Sequence, residues 1–342
     1  MSKILITGGC GFLGRHFTKT LLDQGHFVFV VDDLSNGIRP TAWPKFLRPD
    51  RKAKLEFIHI DTRYFFEVEM QNKRKENFDL VIHLAATVGG RSVIEGSPID
   101  NARTIAIDAE FFRWLVFEQP KHTIYMSSPA IYPVGFQDGE FDWKLSEVDL
   151  DLSDPVKPLG IPDMVYGWSK LTAEYLALIA AKKHGLNIFC PRPFSGYGED
   201  QSLAYPMPSI CKRAVDKEDP LIIWGSGKQT RDWIHVDDII ECVLKTYPMY
   251  SGYNTLNIGT GIGTDFFQLA KLAAEIVGYS PEIEAKTDAP EGVMKRVADI
   301  WKLTESYKPV VPRWDKVSLK EGMTKVIEYL KDNDKYTNHL SK

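Results

Sequence analysis

The chain has 342 residues, 44% of them hydrophobic, with 42 basic against 46 acidic side chains and a net charge of −4. That length holds one large or two medium domains, and the apolar fraction suits a globular core. The slight acidity argues against nucleic acid or an anionic membrane as a partner, and no apolar stretch approaches the roughly 20 residues that span a bilayer.

The first predicted element is a buried strand at Lys3–Thr7, which leaves no room for a secretory leader and leads us to expect a cytoplasmic location. Gly8, Gly11 and Gly14 follow at three-residue spacing, and a helical pattern then places Phe12, Leu13, Phe17, Leu21 and Leu22 on one side. Glycine permits the tight turn and lets backbone approach a pyrophosphate closely. Free N–H groups and the dipole at the helix start favour that anion. An ordinary glycine-rich turn has the same composition, so the argument rests on context. A second strand, Phe27–Val31, ends in Asp32, about where a carboxylate should meet ribose hydroxyls. Asp33 follows, and no Arg or Lys appears before Arg39. A ribose 2′-phosphate would meet negative charge there, which favours NAD over NADP.

Further strands are predicted at Glu56–Ile60, Asp79–Leu84, Thr123–Ser127 and Asn187–Cys190, alternating with helical stretches. That pattern predicts an α/β fold, a Rossmann-type doubly wound parallel sheet, over residues 1–190. Residues 138–162, rich in Asp, Pro and Gly, read as a long loop. From 191 to 342 Pro, Gly and aromatics become frequent, and we expect a smaller α/β substrate-binding lobe. The four cysteines form no close pair and no metal spacing, so reduced thiols and no metal site are expected.

Met164 to roughly Lys183 is helical in pattern, which puts Tyr166 and Lys170, four residues apart, on one face. A neighbouring ammonium favours a phenolate. A tyrosine so placed can take the proton of a substrate hydroxyl as hydride leaves the same carbon. Ser127 and Ser128 end an apolar strand and could hydrogen-bond that oxygen. A half-buried tyrosine beside a surface lysine is the bland reading of the pair. Its position downstream of the glycine loop and the serine-tipped strand argues for the functional one.

With these stretches together, the chain resembles an extended short-chain dehydrogenase/reductase of the nucleotide-sugar epimerase and dehydratase group. The resemblance runs from Lys3 to about Leu330 through TGGCGFLG, VVDDLSNG, FDLVIHLAA, YMSSPAIYP, YGWSK, RPFSGYG, GSGKQTRDWIHVDDI and NTLNIGTG. It implies NAD as cofactor, held by the glycine loop with Phe12 and Leu13, by Asp32, by Asp61 and Thr62 near the adenine, and by Leu84, Ala85 and Ala86. It implies Ser128, Tyr166 and Lys170 as the catalytic group, and Arg231 and Arg296 as holders of a substrate diphosphate. Segments at about 232–260 resemble pieces that return to the large sheet. Homodimers through two long helices, here about 99–118 and 165–183, are expected.

Other substrate-side candidates stay open. Ser195 stands where related segments carry asparagine. Gly89, Gly90 and Arg91 resemble the corresponding step of GDP-sugar members, and a loop turn explains them equally well. Glu199 and Asp200 could accept hydrogen bonds from a base, or be ordinary surface acids. Lys212 and Arg213 read as a solvated helix face, and Trp224 and Trp233 as packing residues.

Departures from the family decide the expected chemistry. Where 4,6-dehydratases carry an Asp-Glu pair just after the serine, this chain has Pro129 and Ala130. A reaction that ends at a ketone and then returns the hydride needs only Ser128, Tyr166 and NAD. The resemblance therefore implies a nucleotide-diphosphate-sugar epimerase, most simply at C4. The alternatives are a 4,6-dehydratase or a net oxidoreductase (keto-reductase or dehydrogenase) using an acid the sequence does not locate, and a non-enzymatic NAD-binding sensor or scaffold.

Overall fold

The structure, a computed structural model, describes residues 1–50, 52–73, 75–89, 95–140, 142–154, 156–306 and 315–333. The chain alternates β1 (Lys3–Thr7), α1 (Phe12–Asp23), β2 (Phe27–Asp32), β3 (Leu55–His59), α2 (Thr62–Gln71), β4 (Leu80–His83), α3 (Arg103–Glu118), β5 (His122–Tyr125), α4 (Met164–His184) and β6 (Ile188–Pro193). After a second, smaller lobe it returns through β10 (Tyr253–Ile258) to pair with β6. The seven strands are all parallel in the order β3-β2-β1-β4-β5-β6-β10. The expected doubly wound α/β sheet is therefore present.

Alternate strand residues explain its two covered faces. Ile4, Ile6, Val28, Val30 and Ile82 pack with Phe17 and Leu21 of α1 on one side. Leu5, Val31 and Val81 pack with Phe66, Phe111, Trp114 and Ala177 of α2, α3 and α4 on the other. The chain order reverses between β1 and β4, which opens a crevice at their carboxyl ends. Ligands of such sheets bind there. All four cysteines are buried and unpaired.

Two boundaries differ from the sequence reading. Strand β6 runs on through Pro191 and Pro193, although proline is unfavourable inside a sheet. The Pro191 carbonyl accepts from the Ser127 amide at 3.0 Å. The odd-numbered prolines face β5, so the ladder to β10 is kept, with Ile188 donating to the Gly252 carbonyl and Phe194 to the Ile258 carbonyl at 2.8 Å each. The helix expected from Ile99 is broken at Ala102 into one turn, Pro98–Asn101, and α3. There Arg103 is drawn to Asp61 at 2.7 Å and Thr104 accepts from the Thr87 amide at 3.0 Å.

The smaller lobe is built on β7 (Ser195–Tyr197), α5 (Pro206–Val215), β8 (Leu221–Trp224), β9 (Thr230–His235), β11 (Gly263–Asp265), α7 (Phe266–Val277), β12 (Ile283–Lys286), β13 (Lys295–Arg296) and α8 (Leu319–Asp332). Strand β9 pairs with β7, β11 and β13. From β9 the chain enters α6 (Val236–Thr246), which packs back on the sheet through Ile239, Ile240 and Val243.

The junction between lobes is tied by charge. Asp200, just past β7, is buried and receives Arg15 of α1 at 2.7 Å and His16 at 2.8 Å. His235, at the joint of β9 and α6, sits 3.3 Å from both Glu199 and Asp237. The Glu199 contact is an ion-pair distance rather than a well-aligned hydrogen bond. Burial works against charge on this imidazole, but the two carboxylates outweigh it and raise its pKa to about 9. The unfolded value is about 6.5. The raised folded value means that the stabilisation is complete below about pH 6.5 and is lost as pH rises through about 9. Thermal melts from pH 6 to 9.5 should therefore show a decline that His235→Asn flattens over the same interval.

Candidate active site

Strand β1 ends in the glycine loop. Gly8 has φ +69°, and a Cβ on it would lie 2.6 Å from the Ala85 amide nitrogen. A Cβ on Gly14 would run into the Gly8 carbonyl. These two positions need glycine for a tight turn against β4. Gly11 is the N-cap of α1 and offers no side-chain acceptor to the first-turn amides, so those donors remain for an anion. Arg15 braces the loop by donating to the Cys10 carbonyl at 2.8 Å. Burial pushes the Cys10 thiol up, which leaves it an unreactive spacer.

Asp32 ends β2 and faces the same crevice. Its carboxylate accepts from the Cys10 amide at 2.9 Å and the Leu34 amide at 2.8 Å. Burial pushes its pKa up against those two bonds. Asp61 caps α2 by accepting from the Arg63 amide, and it pairs with the Arg63 and Arg103 side chains. Those bonds hold its carboxyl well below the usual range, the Arg63 side chain foremost. Thr62 is buried beside it, Leu84 extends β4 by donating to the Thr7 carbonyl, and Ala85 and Ala86 follow at the crevice. The open glycine cradle, the uncapped helix start and the strand-end acid fit a dinucleotide.

The tyrosine–lysine pair lies on the buried side of α4. Lys170 is 3% exposed and donates to the Met126 carbonyl at 2.9 Å and the Tyr125 hydroxyl at 3.2 Å. Tyr125 donates in turn to Asp108 at 2.9 Å, and Asp108 meets His83 at 3.2 Å. Burial lowers the His83 pKa, so a neutral ring sits at the end of this network. A surface lysine, the bland reading of the pair, is thereby excluded. Ser128 accepts from the Ala130 amide at 3.1 Å, so its hydroxyl proton can go to a ligand oxygen. Its neighbour Ser127 instead donates to Glu174.

Glu174, one turn beyond Lys170, forms a fully buried pair with Arg192, at 2.6 Å and 3.0 Å. Arg192 also donates to the Tyr132 hydroxyl at 2.8 Å, and Tyr132 to Asn257 at 2.7 Å. The sequence reading missed this network. The i, i+4 spacing from Lys170 was its one available signal.

Ser128 and Tyr166 border a cavity of about 390 Å³ between the lobes, a size suited to a small ligand. Gly89, Ser195, Arg231 and Arg296 border it too. Gly90 and Arg91 lie outside the described residues. Arg231 donates to the Thr230 carbonyl at 2.9 Å, with its guanidinium near the Phe266 ring. Arg296 donates to Gln137 at 2.6 Å and to Asp163 at 2.8 Å.

Several substrate-side expectations need correction. Arg213 is not a solvated surface residue but borders the cavity, held by the Ile222 carbonyl and Ser209. Trp224 is not packed away; it is 43% exposed on the cavity wall, whereas Trp233 is buried. Asp200 is committed to Arg15 and His16, and Glu199 to His235, so neither lies on the cavity. A carboxylate the sequence reading did not single out, Asp163, does border it. Among the described residues no cluster of three or more His, Cys, Asp or Glu side chains could hold a metal ion.

Comparison with known proteins agrees with this geometry. Residues 4–259 match the model of the NAD-dependent epimerase/dehydratase family. A putative UDP-glucose 4-epimerase of Methanocaldococcus jannaschii is 27% identical, with 97% of this chain and 99% of that protein covered. CDP-paratose 2-epimerase of Salmonella typhi is 28% identical over 96% and 98%. The UDP-glucose 4-epimerase of Thermotoga maritima, solved with UDP-glucose, superposes with a TM-score of 0.79 at 26% identity, covering 97% and 99%. The chain belongs to the NAD-dependent epimerase/dehydratase family, of the extended short-chain dehydrogenase/reductase type. Its cofactor is NAD.

Two outcomes follow from this geometry. Asp32 should disfavour the 2′-phosphate of NADP. Calorimetry should give NADP an affinity at least about tenfold below NAD, a difference of roughly 1.4 kcal/mol, and Asp32→Ala should narrow it. Glu174→Ala should cost about 3–5 kcal/mol in urea unfolding, because it strands a buried guanidinium. Glu174→Leu with Arg192→Met should cost less, because neither charge is left unpaired.

Proposed function

We propose that the protein is an NAD-dependent nucleotide-diphosphate-sugar epimerase that inverts a hydroxyl-bearing carbon, C4 in the simplest case, through a transient keto sugar. One observation carries the reading. Ser128 and Tyr166 face a shared cavity with arginines at its walls, while Pro129 and Ala130 stand where a dehydratase would place its acids.

The residues divide the work as follows. The loop from Gly8 to Gly14, Asp32, Asp61, Thr62 and the Leu84–Ala86 edge hold NAD, which when bound serves as the hydride acceptor and donor. Tyr166 takes the proton of the sugar hydroxyl and later returns one to the carbonyl oxygen. Ser128 donates a hydrogen bond to that same oxygen. Lys170, fixed by Met126 and Tyr125, supplies a positive charge on the face of α4 that carries Tyr166. Arg231 and Arg296, with Ser195, hold the diphosphate while the keto sugar turns to present its other face. This division places cofactor binding in residues 1–190 and substrate binding largely in 191–342.

We also infer a homodimer formed through α3 and α4, whose outer faces expose Ile105, Trp168 and Tyr175, and a cytoplasmic location. No helix among the described residues is long and apolar enough to cross a membrane. Sedimentation of the purified protein tests the dimer.

A panel of UDP-, GDP-, CDP- and dTDP-sugars incubated with enzyme and NAD tests the reaction. The expected product has unchanged mass, one inverted carbon by NMR, and no net absorbance at 340 nm from NADH. Loss of water would replace this reading with the dehydratase, and stoichiometric NADH with a dehydrogenase. Tyr166→Phe should keep fold and NAD affinity but lower turnover about 10²- to 10⁴-fold, the usual contribution of a positioned base. Ser128→Ala should cost less, as one oriented donor is lost.

A further inference from the structure

The segment entering α4 is irregular just before the catalytic tyrosine. Asp163 is the N-cap of α4 and its carbonyl accepts the first helical bond, from Gly167 at 2.8 Å. An aspartate there ordinarily turns its carboxylate onto the first-turn amides. This one makes no side-chain cap. Its Oδ2 instead accepts from Arg296 Nη2 at 2.8 Å, across a gap of 133 residues in sequence. The next residue, Met164, has φ +56°, a conformation that disfavours side chains larger than glycine. The Asp163 amide is pinned to the Ala130 carbonyl at 2.8 Å, and a Cβ on Gly167 would collide with that same carbonyl.

The partner is held from the other side. Arg296 Nε donates to Gln137 Oε1 at 2.6 Å, and the buried Gln137 donates to the Tyr132 and Pro133 carbonyls at 3.0 Å and 3.2 Å. Those two bonds use Nε and Nη2 and fix the plane of the guanidinium. Nη1 is used by neither. Arg296, Asp163, Ser128 and Tyr166 all border the one cavity.

We propose that Asp163 is a positioning residue that couples the grip of Arg296 on the substrate diphosphate to the placement of Tyr166. The proposal rests on the epimerase reading above. The first turn of α4 is oriented by a long-range ion pair in place of a local cap. A ligand that engages Arg296 therefore bears on the backbone three residues before the tyrosine. A misplacement of about 1 Å in such a group can cost on the order of 100-fold in rate.

The test uses the purified, NAD-loaded protein with Asp163→Ala, Asp163→Asn, Arg296→Ala and the double alanine variant. Calorimetry with UDP, GDP, CDP and dTDP as probes reads the grip, and kcat and KM with the sugar found in the panel read the coupling. Arg296→Ala should weaken diphosphate binding about tenfold or more, and adding Asp163→Ala should weaken it no further. Asp163→Ala should lower kcat about 10- to 100-fold as well as raise KM. Asp163→Asn, nearly isosteric and still an acceptor for Nη2, should recover most of both, and it keeps the test available if the alanine variant does not fold. Multiplicative losses in the double variant would overturn the proposal. So would Asp163→Asn as slow as Asp163→Ala with KM unchanged, which would make the ionised carboxylate itself, rather than its hold on Arg296, the group the reaction needs. Unchanged diphosphate affinity in Arg296→Ala would overturn the reading of that arginine and this proposal with it. Near-normal turnover in Tyr166→Phe would overturn the catalytic reading alone, with the binding cycle still deciding the Asp163–Arg296 link.

Discussion

A guanidinium taken wholly out of water dictates much of this molecule. Arg192 and Glu174 are both inaccessible to solvent, and removing such charges from water costs several kcal/mol per ion unless every donor and acceptor is met. Meeting them recruits four separate parts of the chain. Glu174 comes from α4, Ser127 from the end of β5, Tyr132 from the following turn, and Tyr253 from β10, whose hydroxyl donates to Glu174 at 2.9 Å. The pair sits one helical turn from Lys170, so the demand for its satisfaction also sets where the face of α4 that carries Tyr166 and Lys170 meets the serine-tipped strand.

Carboxylates acting on backbone amides repeat the same logic elsewhere. Asp232 of β9 accepts from the amides of Thr260, Gly261 and Ala298. Burial pushes its pKa up, against the bonds that favour the charged form. It gathers the loop after β10 and the residues after β13 onto one strand, and this places Arg231 and Arg296, register partners in β9 and β13, side by side. Asp200 does the equivalent for α1 and the segment after β7. The two lobes therefore meet through fixed acids, and the cavity is left between them.

Periodicity and punctuation made the sheet legible. The glycine triplet, Asp32 and the alternating apolar strands needed only neighbours within a few residues, and those local rules are seldom overridden in a buried parallel sheet. Tyr166 and Lys170 were legible for the same reason, since helix spacing fixes their common face. Asp163, Gln137 and Arg213 were not. Each acquires its place from partners far away in sequence, and an aspartate before a helix reads as a cap whatever it binds. Trp224 failed similarly: an aromatic at a strand end packs or faces a cavity according to what the opposite lobe supplies.

The uneven wall of the cavity has a kinetic meaning. On the proposed reading, its guanidinium groups act on the part of the ligand that does not react, while the reacting end meets Ser128, Tyr166 and the apolar Pro129 and Ala130. On the proposed reading, oxidation of the sugar leaves the strongest contacts untouched. The ketone is then retained as firmly as the alcohol, and the ring is the part free to swing. Leakage of half-converted product should be governed by the anchor rather than by the sugar, so one anchor could serve several sugars without losing any of them midway.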